Sequence, residues 1–274
     1  MTRARRTEPS PLGAIPPAVL VPAVIAIAVL VLPLLALVGR VDWSTFWADA
    51  TSQAALEALG LSLVTGVVAT LVCLVLGVPL ALLIARATPR VAGLLRALVT
   101  IPLVLPPMVG GIALLFLLGR TSLVGGWLDT AFGFRLPFTT AAVVIAQVFV
   151  AMPFLVLSVE GTLRATGTDY ERVASTLGAS RWTAFRRVTV PLAAPGLIAG
   201  TVLCFARAIG EFGATALFAG NAAGTTRTMP LAIYTAFNGA GVTQGTAVAL
   251  SIVLLVVAVA ILLLVRGWRP GSVR

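Results

Sequence analysis

The 274-residue chain contains no histidine, no lysine and only two cysteines, Cys73 and Cys204. Without lysine it has neither the G-x-x-x-x-G-K loop that cradles nucleotide phosphates nor an amine for a Schiff base. Without histidine, and with its two cysteines far apart, it offers no ordinary zinc or haem ligand set and no histidine-dependent triad. Charge is also scarce, at 10% of residues, where a soluble domain has about 25%. Only nine residues are carboxylates. What is abundant is apolar surface, at 59% of residues. The composition describes an all-α polytopic membrane protein that is not an enzyme and needs no cofactor.

Six apolar stretches, near 17–38, 58–85, 98–118, 139–159, 192–217 and 245–265, are long enough to cross about 30 Å of hydrocarbon. They define one transmembrane domain, 17–266, between an amino-terminal tail, 1–16, and a carboxy-terminal tail, 267–274. The first stretch follows MTRARR as a signal peptide would, but its length of about 22 residues exceeds an ordinary signal core, so it is read as a retained helix. The third holds Pro102, Pro106, Pro107, Gly110 and Gly111. It is expected to kink or break and to lie within protein, where its freed carbonyls find partners. Trp43 and Trp47 read as interface residues, 230–237 as a short outer helix, and Cys73 and Cys204 as small buried hydrophobes.

The net charge of +10 is explained by topology rather than by nucleic acid, because all 19 basic residues are arginine and their placement is one-sided. With an inner amino terminus and an even number of spans, Arg3, Arg5, Arg6, Arg86, Arg90, Arg96, Arg164, Arg172, Arg181, Arg186, Arg187, Arg266, Arg269 and Arg274 are cytoplasmic. Only Arg40, Arg120, Arg135 and Arg227 fall outside. The fifth stretch carries Arg207 and Glu211, four residues apart on one helical face. Charge in the bilayer costs about 3 kcal/mol or more and calls for a partner or a wet cavity. Two compatible readings follow: an ion pair that fixes packing, or a pair lining a gate, with Gly210 and Gly213 permitting close helix approach.

Between the fourth and fifth stretches lies a polar segment, Thr168 to Leu192. Thr168 and Glu171 fit a capping box, Gly178 ends one short helix, and Pro191 is expected to stop a second. Capping does not account for Trp182 and Phe185 beside Arg181, Arg186 and Arg187. On one helical turn these make an apolar knob ringed by positive charge, the composition of a docking surface.

This segment resembles the cytoplasmic coupling loop of ABC-transporter permeases of the bacterial importer type, whose pattern is Glu-Ala-Ala, three residues, Gly, about nine residues, then an aliphatic residue near Leu-Pro. Glu171, Ala174, Gly178, Val188 and Val190-Pro191-Leu192 match. Arg172 and Val173 depart from it, and Glu171 lies seven rather than six residues before the glycine. Ala206 to Thr215, Gly220-Asn221, Thr226 to Pro230 and Ile101 to Gly111 resemble the molybdate and sulfate branch, more closely its molybdate members.

The resemblance covers about 55–265 and implies a type I importer permease in a bacterial cytoplasmic membrane, both termini inside. It implies a lipid-embedded homodimer, an extracytoplasmic oxyanion-binding protein and two cytoplasmic ABC ATPase subunits. Coupling to the ATPase then falls to Glu171, Ala174, Gly178, Arg181, Trp182, Phe185, Arg186 and Pro191, in the segment 168–191. The gate falls to Arg207, Gly210, Glu211 and Gly213. The cargo implied is molybdate or tungstate, with sulfate or thiosulfate, or a passive pore, as alternatives.

Overall fold

The computed structural model describes residues 17–239 and 244–266; the two expected tails lie outside them. Among the described residues all regular structure is helical. The order is α1 (Pro17–Val38), α2 (Phe46–Ala50), α3 (Gln53–Arg86), α4 (Pro89–Val104), α5 (Pro107–Leu118), α6 (Leu123–Phe132), α7 (Thr140–Thr166), α8 (Asp169–Thr176), α9 (Arg181–Ala184), a π turn (Phe185–Thr189), α10 (Val190–Ile209), α11 (Gly213–Phe218), α12 (Met229–Phe237) and α13 (Gln244–Arg266).

Among the described residues, four helices are long and apolar enough to span a bilayer: Ala18–Val38, Gln53–Arg86, Thr140–Thr166 and Arg181–Ile209. The other expected spans differ from straight rods. The third stretch divides into α4 and α5, bent by 111° at Leu105 and Pro106. Both of those residues precede a proline and are extended, with ψ of 135° and 133°, because the following ring disfavours the helical region. The fifth begins earlier than expected, at Arg181, and ends at Ile209; after Gly210 to Phe212 the chain resumes as α11. The sixth corresponds to α13, whose described apolar run, Gly245–Ile261, is shorter than a spanning helix. A short helix is present at the expected place, as α12.

Helix α7 is the centre of the molecule, with α3 and α10 packed along it. Their shared core contains Ala69, Cys73, Leu155, Val156, Cys204 and Ala208. Helices in lipid associate through close packing of small residues and interhelical hydrogen bonds; here Ser158 Oγ donates to the Gly196 carbonyl at 2.9 Å. The two cysteines are buried and free, as the sequence indicates, and both lie in the core that α3 and α10 share.

Candidate functional site

The polar segment forms two helical pieces joined at Gly178. That glycine has φ of +83°. Its N–H bonds to the Ser175 carbonyl and the Ala179 N–H to the Ala174 carbonyl, both at 3.0 Å, which is the Schellman arrangement for closing a helix. Ala174 thus contributes its carbonyl, and its side chain is half-buried. No heavy atom lies within 4 Å of where a Cβ on Gly178 would stand. The glycine is required by its left-handed backbone, not by crowding.

Two expectations fail in this segment. Thr168 makes no side-chain cap bond, so there is no capping box. Glu171 is instead engaged at long range: Arg86 at the end of α3 donates Nη2 to Glu171 Oε1, and Thr189 Oγ1 donates to the same oxygen at 2.5 Å. Partial burial pushes the Glu171 carboxyl up, but the bonds from Arg86 and Thr189 outweigh it and hold the group below its ordinary value. Nor does Pro191 stop the second helix, since Arg181 to Ile209 is continuous. The wider turn at Phe185–Thr189, where the Val190 N–H bonds to the Phe185 carbonyl, relieves the clash that a proline ring makes with the preceding turn.

The knob is also divided. Trp182 is 64% exposed and stacks on Phe185 at 5.5 Å, with the Arg186 guanidinium 5.9 Å from the Trp182 ring centroid. Arg181 and Arg186 are exposed around it. Phe185 itself is half-buried, facing Val78, Leu82, Val159 and Leu163 of the bundle. It therefore anchors the loop to the bundle while Trp182 faces outward, so only one of the two expected aromatics is exposed. Sequence reasoning missed a second exposed apolar row on α8 and its end, formed by Tyr170, Val173 and Leu177. Its i, i+3, i+7 spacing was the available signal.

At the far end of the same long helix, Arg207 Nη1 meets Glu211 Oε2 at 2.7 Å. Glu211 is 1% exposed, and its other oxygen accepts the Ala214 N–H at 2.6 Å. One carboxylate thereby neutralises the arginine and satisfies a backbone donor in the first turn of α11. Gly213 lies against the break in the third stretch: a Cβ there would stand 3.0 Å from Pro107 Cβ and 3.1 Å from the Met108 nitrogen. The two interrupted helices thus meet at their interruptions, as α5 and α11 pack together. Gly210 does not share this role. It is exposed, and the nearest atom to its Cβ position is the Ala206 carbonyl of its own helix at 3.4 Å.

A second buried carboxylate escapes the sequence reading. Glu160, 4% exposed, accepts from Arg96 Nη2 at 2.7 Å and from Arg164 Nη1 at 3.4 Å. A fourth stretch that ends at 159 puts it at a loop edge, whereas α7 continues to Thr166. Arg164, one turn further on, was the available signal.

Residues 77–270 match the family described as binding-protein-dependent transport system inner membrane component. The chain is 51% identical over 240 residues to the molybdenum transport system permease protein ModB of Mycobacterium tuberculosis, covering 87% of this chain and 89% of that protein. It is 40% identical over 191 residues to ModB of Escherichia coli K12, covering 70% and 83%. It is 35% identical over 206 residues to the sulfate transport system permease protein CysT of the same organism, covering 74% of each. Among solved structures, a chain of the bacterial alginate ABC transporter in complex with its pentasaccharide-bound periplasmic protein aligns with a TM-score of 0.70 at 18% identity, covering 90% of this chain and 91% of that one. A chain of the inward-facing MetNI methionine ABC transporter aligns with a TM-score of 0.60 at 18% identity, covering 79% and 99%. These likenesses extend the fold across nearly the whole chain, and with the family match they identify it as a member of the binding-protein-dependent transport system inner membrane component family.

Proposed function

We propose that this chain is the membrane-spanning subunit of an ATP-driven molybdate importer. The observation that carries the reading is the 51% identity, over 87% of the chain, to a molybdenum permease. Two permease copies form the path, an extracytoplasmic binding protein delivers the oxyanion, and two cytoplasmic ATPase subunits supply the energy, since this chain has no lysine with which to build a phosphate loop. Both termini are cytoplasmic, on the side where arginine accumulates. The coupling surface comprises Tyr170, Val173, Leu177 and Trp182, rimmed by Arg181 and Arg186.

The continuous helix from Arg181 to Ile209 supports a mechanical account. Its 29 residues extend about 43 Å at 1.5 Å per residue, so the docking end and the gate end are parts of one rod. A tilt imposed at Trp182 by ATPase closure moves Arg207, Glu211 and the junction of Gly213 with Pro107. The test is uptake of labelled molybdate, tungstate and sulfate into vesicles that contain the permease, its ATPase and its binding protein. Molybdate uptake that requires ATP is expected. Sulfate uptake without molybdate uptake would move the chain to the sulfate class, and flux without ATP would make it a passive pore.

A further inference from the structure

Glu171 is tied on two sides. Arg86, the last residue of α3, and Thr189, the last residue of the π turn, both donate to its Oε1. Helix α8 has no buried residue of its own, so apolar packing does little to hold it to the bundle, and the carboxylate supplies the fixed attachment. Its side chain is 19% exposed, too enclosed for the free, outward-facing carboxylate of a docking contact. Arg172, beside it, is the exposed residue and pairs only loosely with Asp169 at 3.5 Å.

The two helices that Glu171 joins continue to the gate. Along α3, Gly66 packs against Ile209 and Phe205, and α10 ends one residue before Gly210. Thr189 is itself 5% exposed and sits in a five-residue π turn, an element that differs from an α turn by one residue of register and is common at functional positions. A displacement of α8 therefore reaches both gate helices through one oxygen atom.

We infer that Glu171 is a positioning residue that transmits movement of α8 to α3 and α10 through Arg86 and Thr189, and not a residue that touches the ATPase. The inference rests on the importer reading. Glu171→Gln, Arg86→Ala and Thr189→Val are compared in the complete complex for ATPase co-purification, ATP hydrolysis and oxyanion uptake. All three variants are expected to retain the ATPase. Uptake per ATP hydrolysed should fall by about threefold to fivefold for Glu171→Gln and Arg86→Ala, the upper range for a half-exposed ion pair, and by less for Thr189→Val. The exchange Glu171→Arg with Arg86→Glu should recover part of the loss, which general damage to the loop would not permit.

An unchanged ratio in both Glu171→Gln and Arg86→Ala would overturn the inference. So would loss of the ATPase on Glu171→Gln while Arg86→Ala is harmless, since that pattern marks a direct contact. Failure of the importer reading is distinguishable, because it appears as absent ATP-dependent uptake in the unsubstituted complex. In that event hydrolysis without binding protein decides the inference: it should rise in both variants, and no rise would sink it.

Discussion

Gly178 has φ of +83° and open space where a Cβ would stand. A side chain there is penalised by the left-handed backbone, at about 1 to 2 kcal/mol, rather than by collision. Gly178→Val should insert in the membrane but lose co-purification with the ATPase, whereas Gly178→Asn should retain most of it, because asparagine tolerates this region. Equal behaviour of the two variants would refute the backbone account. At Glu171 the carboxyl is held below its ordinary value, so its contribution is full above the ordinary carboxylate range and is lost as pH falls through the lowered value. Amide-exchange protection of α8, corrected for the intrinsic pH dependence of exchange, should be level from neutral pH to that range and fall below it. Glu171→Gln should show the low protection already at neutral pH.

At the scale of elements, the sequence disclosed the breaks whose cause is local and concealed those whose cause is not. The proline pair at 106 and 107 marked the interruption of the third stretch, since the effect of a proline on its predecessor acts within one residue. The glycine that closes α8 was legible for the same reason. Pro191 was misleading, because the π turn that accommodates it leaves no local signature. The partners of Glu171 were not readable either: Arg86 is 85 positions away, and only packing of α3 beside the loop brings them together. The π turn also sets the angle between Trp182 and Arg207 along the helix. Deleting Val188 to restore an α turn should rotate Trp182 by about 100° relative to Arg207. The variant should remain in the membrane and lose ATPase-coupled uptake, while Arg90→Ala, at an exposed position of α4, should keep both.

The whole molecule pairs its buried carboxylates with arginines, Glu160 with Arg96 and Glu211 with Arg207. Arg207 stands one turn before the meeting of the two interrupted helices, yet Glu211 binds it at 2.7 Å and leaves little net field for an anion. An oxyanion surrendering its water would need several uncommitted donors or a net positive charge. In the proposed importer, affinity accordingly belongs to the binding protein, and the permease supplies a path that the anion can leave. Calorimetry on the isolated permease should detect no molybdate binding tighter than about 1 mM. Glu211→Gln keeps the size of the side chain but leaves Arg207 without its counter-charge, so it should lower thermal stability by about 3 kcal/mol and impair uptake without creating a tight site. Tight binding to the unsubstituted permease that disappears in Arg207→Gln, with the melting temperature of that variant showing it folded, would instead make the pair a substrate site.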